Sequence, residues 1–161
     1  MEIQTVRLTI PEGANIIVGQ SHFIKTVEDL YEIMVTAVPG VKFGIAFNEA
    51  SGPCLIRSDG NDEALVAAAT ENCRALGAGH VFNVLMLGAY PINVLDRIKQ
   101  CQEVCRIFCA TANPLDAVVA RSDRGAGVLG VIDGDAPKGV ETGKDKQERA
   151  RLLTDIIGYK R

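Results

Sequence analysis

Apolar and polar positions alternate along the chain in two rhythms, one of period two and one of helical period. Residues 3–10 (IQTVRLTI) alternate and are rich in β-branched side chains, and Pro11-Glu12-Gly13 supplies a turn. With residues 15–19 (NIIVG) as the returning strand, the pattern predicts an N-terminal hairpin. A helix is expected from Thr26, read as its N-cap, with Asp29 at the third helical position as a short form of the capping box. Its apolar stripe is Val27, Leu30, Tyr31, Met34, Val35 and Val38, and Pro39-Gly40 stops it. Residues 41–48 and 54–57 read as strands joined by the turn-forming run Glu49–Pro53.

The alanine-rich stretch from Asp62 to Leu76 predicts a second helix that closes on Gly77. A buried strand follows at Val81–Leu87, then a third helix from Pro91, a residue suited to the first helical position, to Gln100. Residues 104–111 and 116–121 are strands, and Ser122–Gly125 turns the chain. A last amphipathic helix is expected from Asp145 to Ile157 through Ala150, Leu153, Ile156 and Ile157. The alternation of elements predicts an α/β or α+β fold, a mixed β-sheet covered by about four helices in one compact domain.

The stretch Gly125–Glu141 (GAGVLGVIDGDAPKGVE) changes this picture most, with glycines at 125, 127, 130, 134 and 139. A strand that opens into a Gly/Asp/Lys turn presents backbone N–H groups and one cation to a phosphate, and equally closes a plain hairpin. The run Gly125 to Gly130 matches GxGxxG in letters, but it leads into a β-rich segment where a dinucleotide fingerprint opens a helix. Walker A fails as well, since Val140 stands where a lysine is required. The first half of the stretch reads as a strand, and the turn that follows stays open between a ligand loop and a plain hairpin.

Composition narrows the class. The chain has 161 residues, 47% hydrophobic and 23% charged, with a formal net charge of −3. That suits one globular domain and gives no basic face for nucleic acid. No apolar run reaches the ~20 residues of a membrane span. The N-terminus shows no basic segment followed by an apolar one, and five cysteines sit in apolar surroundings. A cytoplasmic location is the expectation, with Cys101, Cys105 and Cys109 read as core packing, Cys105 and Cys109 pointing the same way on one strand.

Only two histidines, His22 and His80, offer a group that titrates near neutrality. His80 stands at the entrance of a buried strand. His22 lies just ahead of a helix N-terminus, a place that favours an anion. Either can equally be a structural, hydrogen-bonded histidine. Glu28, Asp29, Glu49, Asp133 and Glu141 are carboxylates of the kind that hold Mg²⁺ beside phosphate, though no spacing among them marks a metal site. Asn93 and Asn113 stand at element junctions, where side chains contact ligands or simply form turns.

Six blocks, GQSHFIKTVEDLYE (19–32), FNEASGP (47–53), GAGHVF (77–82), AYPINVL (89–95), ATANPL (110–115) and GVLGVIDGDAPKGVE (127–141), resemble the adenosine-specific kinase family from about residue 3 to 160. The resemblance implies a homo-oligomer, with a trimer favoured, that binds adenosine or AMP. It also implies phosphoryl transfer from ATP or another nucleotide, with Mg²⁺, and a phosphorylated histidine, His80 ahead of His22. On this reading Gly125–Ile132 is hairpin and core strand and Asp133–Glu141 meets the ligand, so that Gly130, Asp133, Gly134, Lys138, Gly139 and Glu141 bind phosphate or substrate, with Asn93 and Asn113 as further contacts. A non-catalytic AMP or adenosine sensor and an oligomeric scaffold are the alternatives.

Overall fold

Two antiparallel sheets organise the computed structural model, which describes residues 1–158. The strands are β1 (Glu2–Arg7), β2 (Asn15–Ser21), β3 (Lys42–Asn48), β4 (Ile56–Gly60), β5 (Val81–Leu87), β6 (Val104–Thr111), β7 (Leu115–Arg121) and β8 (Ala126–Asp133). The helices are α1 (Thr26–Ala37), α2 (Glu63–Leu76), α3 (Pro91–Gln100) and α4 (Gly143–Arg151), the last continued by a π-helical turn, Leu152–Ile156. The larger sheet runs β4-β3-β5-β2-β6 and the smaller β1-β7-β8. The α+β reading is the one that fits. The single mixed sheet expected from the sequence is divided in two, and every strand pair is antiparallel.

The expected N-terminal hairpin does not form. β2 is central, with β5 on one edge and β6 on the other, so no free ladder remains for β1. β1 instead pairs with β7, from Glu2 opposite Arg121 to Arg7 opposite Asp116. Leu8, buried just beyond, donates its N–H to the Leu115 carbonyl at 2.9 Å and continues the pairing.

β2 alternates between two cores, as the period of a strand requires. Ile16 and Val18 face one cluster with Leu65, Ala69, Leu85, Leu115 and Val119, which fills the space between the two sheets and α2. Ile17 faces the other, where Leu30 and Met34 of α1 and Val94 and Ile98 of α3 cover Phe43, Ile45, Phe82 and Val84. Each such side chain contributes roughly 1.5–3 kcal/mol on burial.

Helix ends follow local chemistry. Asp62 caps α2 by accepting the Leu65 N–H at 3.0 Å, and Gly77 closes it with φ +57°. Thr26 is not the N-cap of α1: that residue is Lys25, and Thr26 is the first helical residue. The buried Thr26 hydroxyl donates to the Phe23 carbonyl at 2.5 Å and shares a 2.7 Å hydrogen bond with Ser21 Oγ. Its polar capacity thus ties β2 to α1. Asp29 pairs with Lys25 at 3.0 Å, one turn apart.

The last helix begins two residues earlier than expected, with Thr142 as its cap and Asp145 completing a capping box. It buries none of its residues, and Leu152, Leu153, Ile156 and Ile157 remain exposed. β8 is an edge strand rather than a core strand: Val128 and Val131 pack inward while Leu129 and Ile132 are 61% and 50% exposed. Among the described residues no helix is long and apolar enough to cross a membrane.

Candidate functional site

Strand register brings the two histidines together. In the β2–β5 ladder Gln20 lies opposite Val81, so the residues that follow β2 run beside those that precede β5. The Ser21 N–H donates to the His80 carbonyl at 2.9 Å. On the other edge of β5, Phe47 lies opposite Phe82, and the His80 N–H donates to the Asn48 carbonyl at 2.7 Å. His80 is therefore fixed by both neighbours of β5. It adopts φ +61°, a left-handed conformation uncommon for any residue but glycine. Such strain is retained when the surroundings over-determine it, and it concentrates at functional sites.

The His80 ring stacks on Phe47, with centroids 5.8 Å apart and planes 12° from parallel. The buried Asn48 amide donates to the Cys73 and Ala78 carbonyls at 2.9 and 3.1 Å, anchoring the turn that delivers the histidine. Gly79 has no side chain for a packing reason: a Cβ there would lie 2.9 Å from Ala50 Cβ. His22, Phe23, Phe47, Glu49, Pro53 and His80 line one cleft of about 370 Å³. That volume falls in the range of roughly 300–1,000 Å³ typical of small-molecule sites.

The far wall of the cleft is the β3–β4 loop, with left-handed residues at Gly52 (φ +63°) and Cys54 (φ +51°). Glu49 holds its shape. One carboxylate oxygen accepts the Leu55 N–H at 2.7 Å and the other meets Arg57 at 2.8–2.9 Å. The Leu55 N–H first, and Arg57 second, hold the Glu49 carboxyl below the ordinary glutamate range.

The other residues picked out in the sequence lie elsewhere in the chain. Asn113 and Asp133 meet at the junction of β6, β7 and β8, where Asp133 accepts from Asn113 Nδ2 at 3.0 Å and Thr111 Oγ1 at 2.7 Å. Gly134, at φ +65°, donates its N–H to the Pro114 carbonyl at 2.9 Å. Gly130 is inside β8, and Lys138 and Gly139 are exposed. Glu141 pairs with Arg149 at 3.0 Å. The Asn93 side chain accepts the Tyr90 N–H at 2.8 Å and caps α3. None of these lines the histidine cleft. Gly125 and Gly127 border a larger cavity of about 710 Å³, together with Arg74 and Arg124 and with Glu49 and Ala50, which also line the histidine cleft. Sequence reading gave no role to Phe47 or Asn48. Their signal was the FN pair ending a predicted strand, meaningful only once that strand lies beside His80.

The model of the family described as adenosine specific kinase matches residues 6–160. The chain belongs to that family. Its fold matches the crystal structure of the PH1918 protein from Pyrococcus horikoshii with a TM-score of 0.93 and 48% sequence identity, covering 99% of this chain and 98% of the other. A comparison with curated proteins gives no match. For a member of the adenosine-specific kinase family, the cleft offers two imidazoles as proton carriers or nucleophiles, an aromatic floor, and exposed apolar side chains, Phe23 and Ile24, at its rim.

Proposed function

We propose that this chain phosphorylates adenosine in the cleft between His22 and His80, with ATP or another nucleotide as donor and His80 as a transient phosphate carrier. The observation that carries the reading is the convergence of the chain's two histidines on one cleft, with one of them held in a left-handed turn and stacked on Phe47. In the first displacement an imidazole nitrogen of His80 attacks the terminal phosphorus. The bond from phosphorus to the bridging oxygen breaks, and the nucleoside diphosphate leaves. In the second, a hydroxyl oxygen of adenosine attacks the same phosphorus, the P–N bond breaks, and His22 takes the hydroxyl proton. Two displacements give ping-pong kinetics. Phosphoryl transfer asks chiefly for positioning and charge neutralisation, which a rigid three-strand terminus suits. Phe23 and Ile24 give the nucleoside base an apolar surface.

Magnesium fits the cleft's own residues poorly. Glu49, the carboxylate among the lining residues, has both oxygens engaged by Leu55 and Arg57. Mg²⁺ is commonly held by one or two carboxylates together with substrate phosphates. Here the ion travels with the nucleotide. The Asp133–Glu141 segment with Lys138, exposed in the protomer, reaches phosphate from a neighbouring copy in a homo-oligomer, for which a trimer is the favoured count. Two exposed apolar surfaces support assembly: Ile3, Leu129 and Ile132 on the outer side of the smaller sheet, and the end of the last helix.

Incubation with ATP labelled on its terminal phosphate tests the reading. Wild-type protein is expected to take up acid-labile label and pass it to adenosine, and His80→Asn, which tolerates the left-handed backbone, to take up none. Label on His80→Asn at the wild-type level removes His80 as carrier. Adenosine binding without any AMP formed overturns the kinase and leaves a sensor.

A further inference from the structure

Behind the His22 segment lies a group of side chains that phosphoryl transfer does not use. Asp29 projects from the first turn of α1, Cys101 ends α3, and Glu103 immediately precedes β6. A carboxylate oxygen from each acid and the Cys101 sulfur all lie within 4.8 Å of one another. Glu103 is only 4% exposed. Its Oε2 accepts from the Cys101 thiol at 3.1 Å, while its Oε1 is buried and has no hydrogen-bond partner among the described residues. A buried polar atom left unpaired costs about 1–3 kcal/mol, and more when charged, so the group is incomplete as a purely protein arrangement. Lys25, its side chain 61% exposed, pairs with Asp29 at 3.0 Å and leaves Glu103 Oε1 without a partner among the described residues.

We propose that Asp29, Cys101 and Glu103 bind a thiophilic divalent cation of the zinc class, a site separate from the histidine cleft. Two carboxylates and a thiolate carry three negative charges, which suits a divalent ion with Lys25 at the rim. The sulfur selects against Mg²⁺ and Ca²⁺, which take oxygen ligands, and for zinc-like ions that accept sulfur and oxygen together. Tetrahedral coordination at ordinary Zn–S and Zn–O lengths places ligand atoms about 3.6 Å apart, so closing from the observed spacing asks only for small side-chain rotations. On binding, the Cys101 proton leaves to solvent and Lys25 swings away from Asp29. Entry is open: Lys25, Asp29, Gln100, Cys101 and Gln102 border a shallow surface cavity of about 500 Å³, from which water completes the shell. The site also has a structural output. The His22 N–H donates to the Glu103 carbonyl at 3.0 Å, so an ion held by Glu103 fixes the segment that carries His22.

Cobalt(II), a spectroscopic stand-in for zinc, tests this on the chelator-treated full chain under a thiol-free reductant. Wild type is expected to bind one Co²⁺ per chain with a thiolate-to-metal charge-transfer band in the near ultraviolet, and Zn²⁺ to bleach it. Cys101→Ser removes the band, Glu103→Gln and Asp29→Asn each weaken binding by at least about tenfold, and Cys105→Ser changes nothing. Wild-type protein that shows no thiolate band at stoichiometric Co²⁺ overturns the site without recourse to any variant. A band that survives Cys101→Ser but vanishes in Cys105→Ser or Cys54→Ser also overturns it.

Discussion

At the scale of single residues, the cysteines separate sharply by environment. Burial pushes the thiols of Cys73 and Cys101 up to about 12 and that of Cys109 to about 11. At Cys101 the neighbouring Glu103 carboxylate adds to the effect. A thiol reacts as its thiolate, so these three are protected, while Cys54 and Cys105 are exposed. Brief alkylation at pH 8 followed by peptide mapping should label Cys54 and Cys105 first, Cys101 and Cys109 more slowly, and buried Cys73 only when the chain is unfolded. The sequence suggests that Cys105 and Cys109 share one face of a strand, both in the core. Two irregularities in the β2–β6 ladder, at Val18/Gly19 and Gln20/Ser21, break that alternation, and Cys105 comes to the surface. A bulge shifts side-chain parity without leaving a signature in residue type.

At the scale of elements, contact between α2 and β3 rests on one missing side chain. A Cβ on Gly44 would sit 2.2 Å from the carbonyl carbon of Leu65 and 2.3 Å from the Val66 nitrogen, both backbone atoms. Gly44→Ala is expected to lower stability by about 1–3 kcal/mol, read as a lower urea midpoint with an unchanged slope. The loop between β3 and β4 depends on acid pH in a defined direction. The Glu49 carboxyl is lowered by the Leu55 N–H and Arg57, so its contribution is present above the ordinary glutamate range and is lost as pH falls through the lowered value. Unfolding followed from pH 7 down to pH 3 should show an acid limb that Glu49→Gln makes shallower. The elements themselves were largely legible: α1, α2 and α3 and the central strands follow from helical stripes, caps and β-rich runs. Their pairing was not. Each histidine stands out because titratable groups are few, but their meeting depends on Gln20 lying opposite Val81 and Phe47 opposite Phe82. Register of that kind is set by packing across strands distant in sequence.

For the molecule as a whole, the exposed apolar side chains define its solution behaviour. The end of the last helix, with Ile156 73% exposed, and the outer side of β8 leave apolar side chains facing solvent. If copies cover these surfaces in solution, thermal stability rises with protein concentration, as mass action requires. A Tm that is constant over a hundredfold range of concentration would rule out assembly coupled to folding. The last helix also shows why its placement was not legible: its apolar spacing predicts a buried face and says nothing about which molecule buries it.

The pairing of β1 with β7 has a temporal consequence. Glu2 finds its place opposite Arg121, so during synthesis β1 waits for a partner strand that lies far downstream of it. Until then its edge is open, and among the described strand pairs β1 and β7 are the farthest apart along the chain. Contacts of such separation raise the contact order and slow folding relative to a helical bundle. The larger sheet, assembled from segments closer in sequence, can form first and serve as the surface on which the smaller one docks.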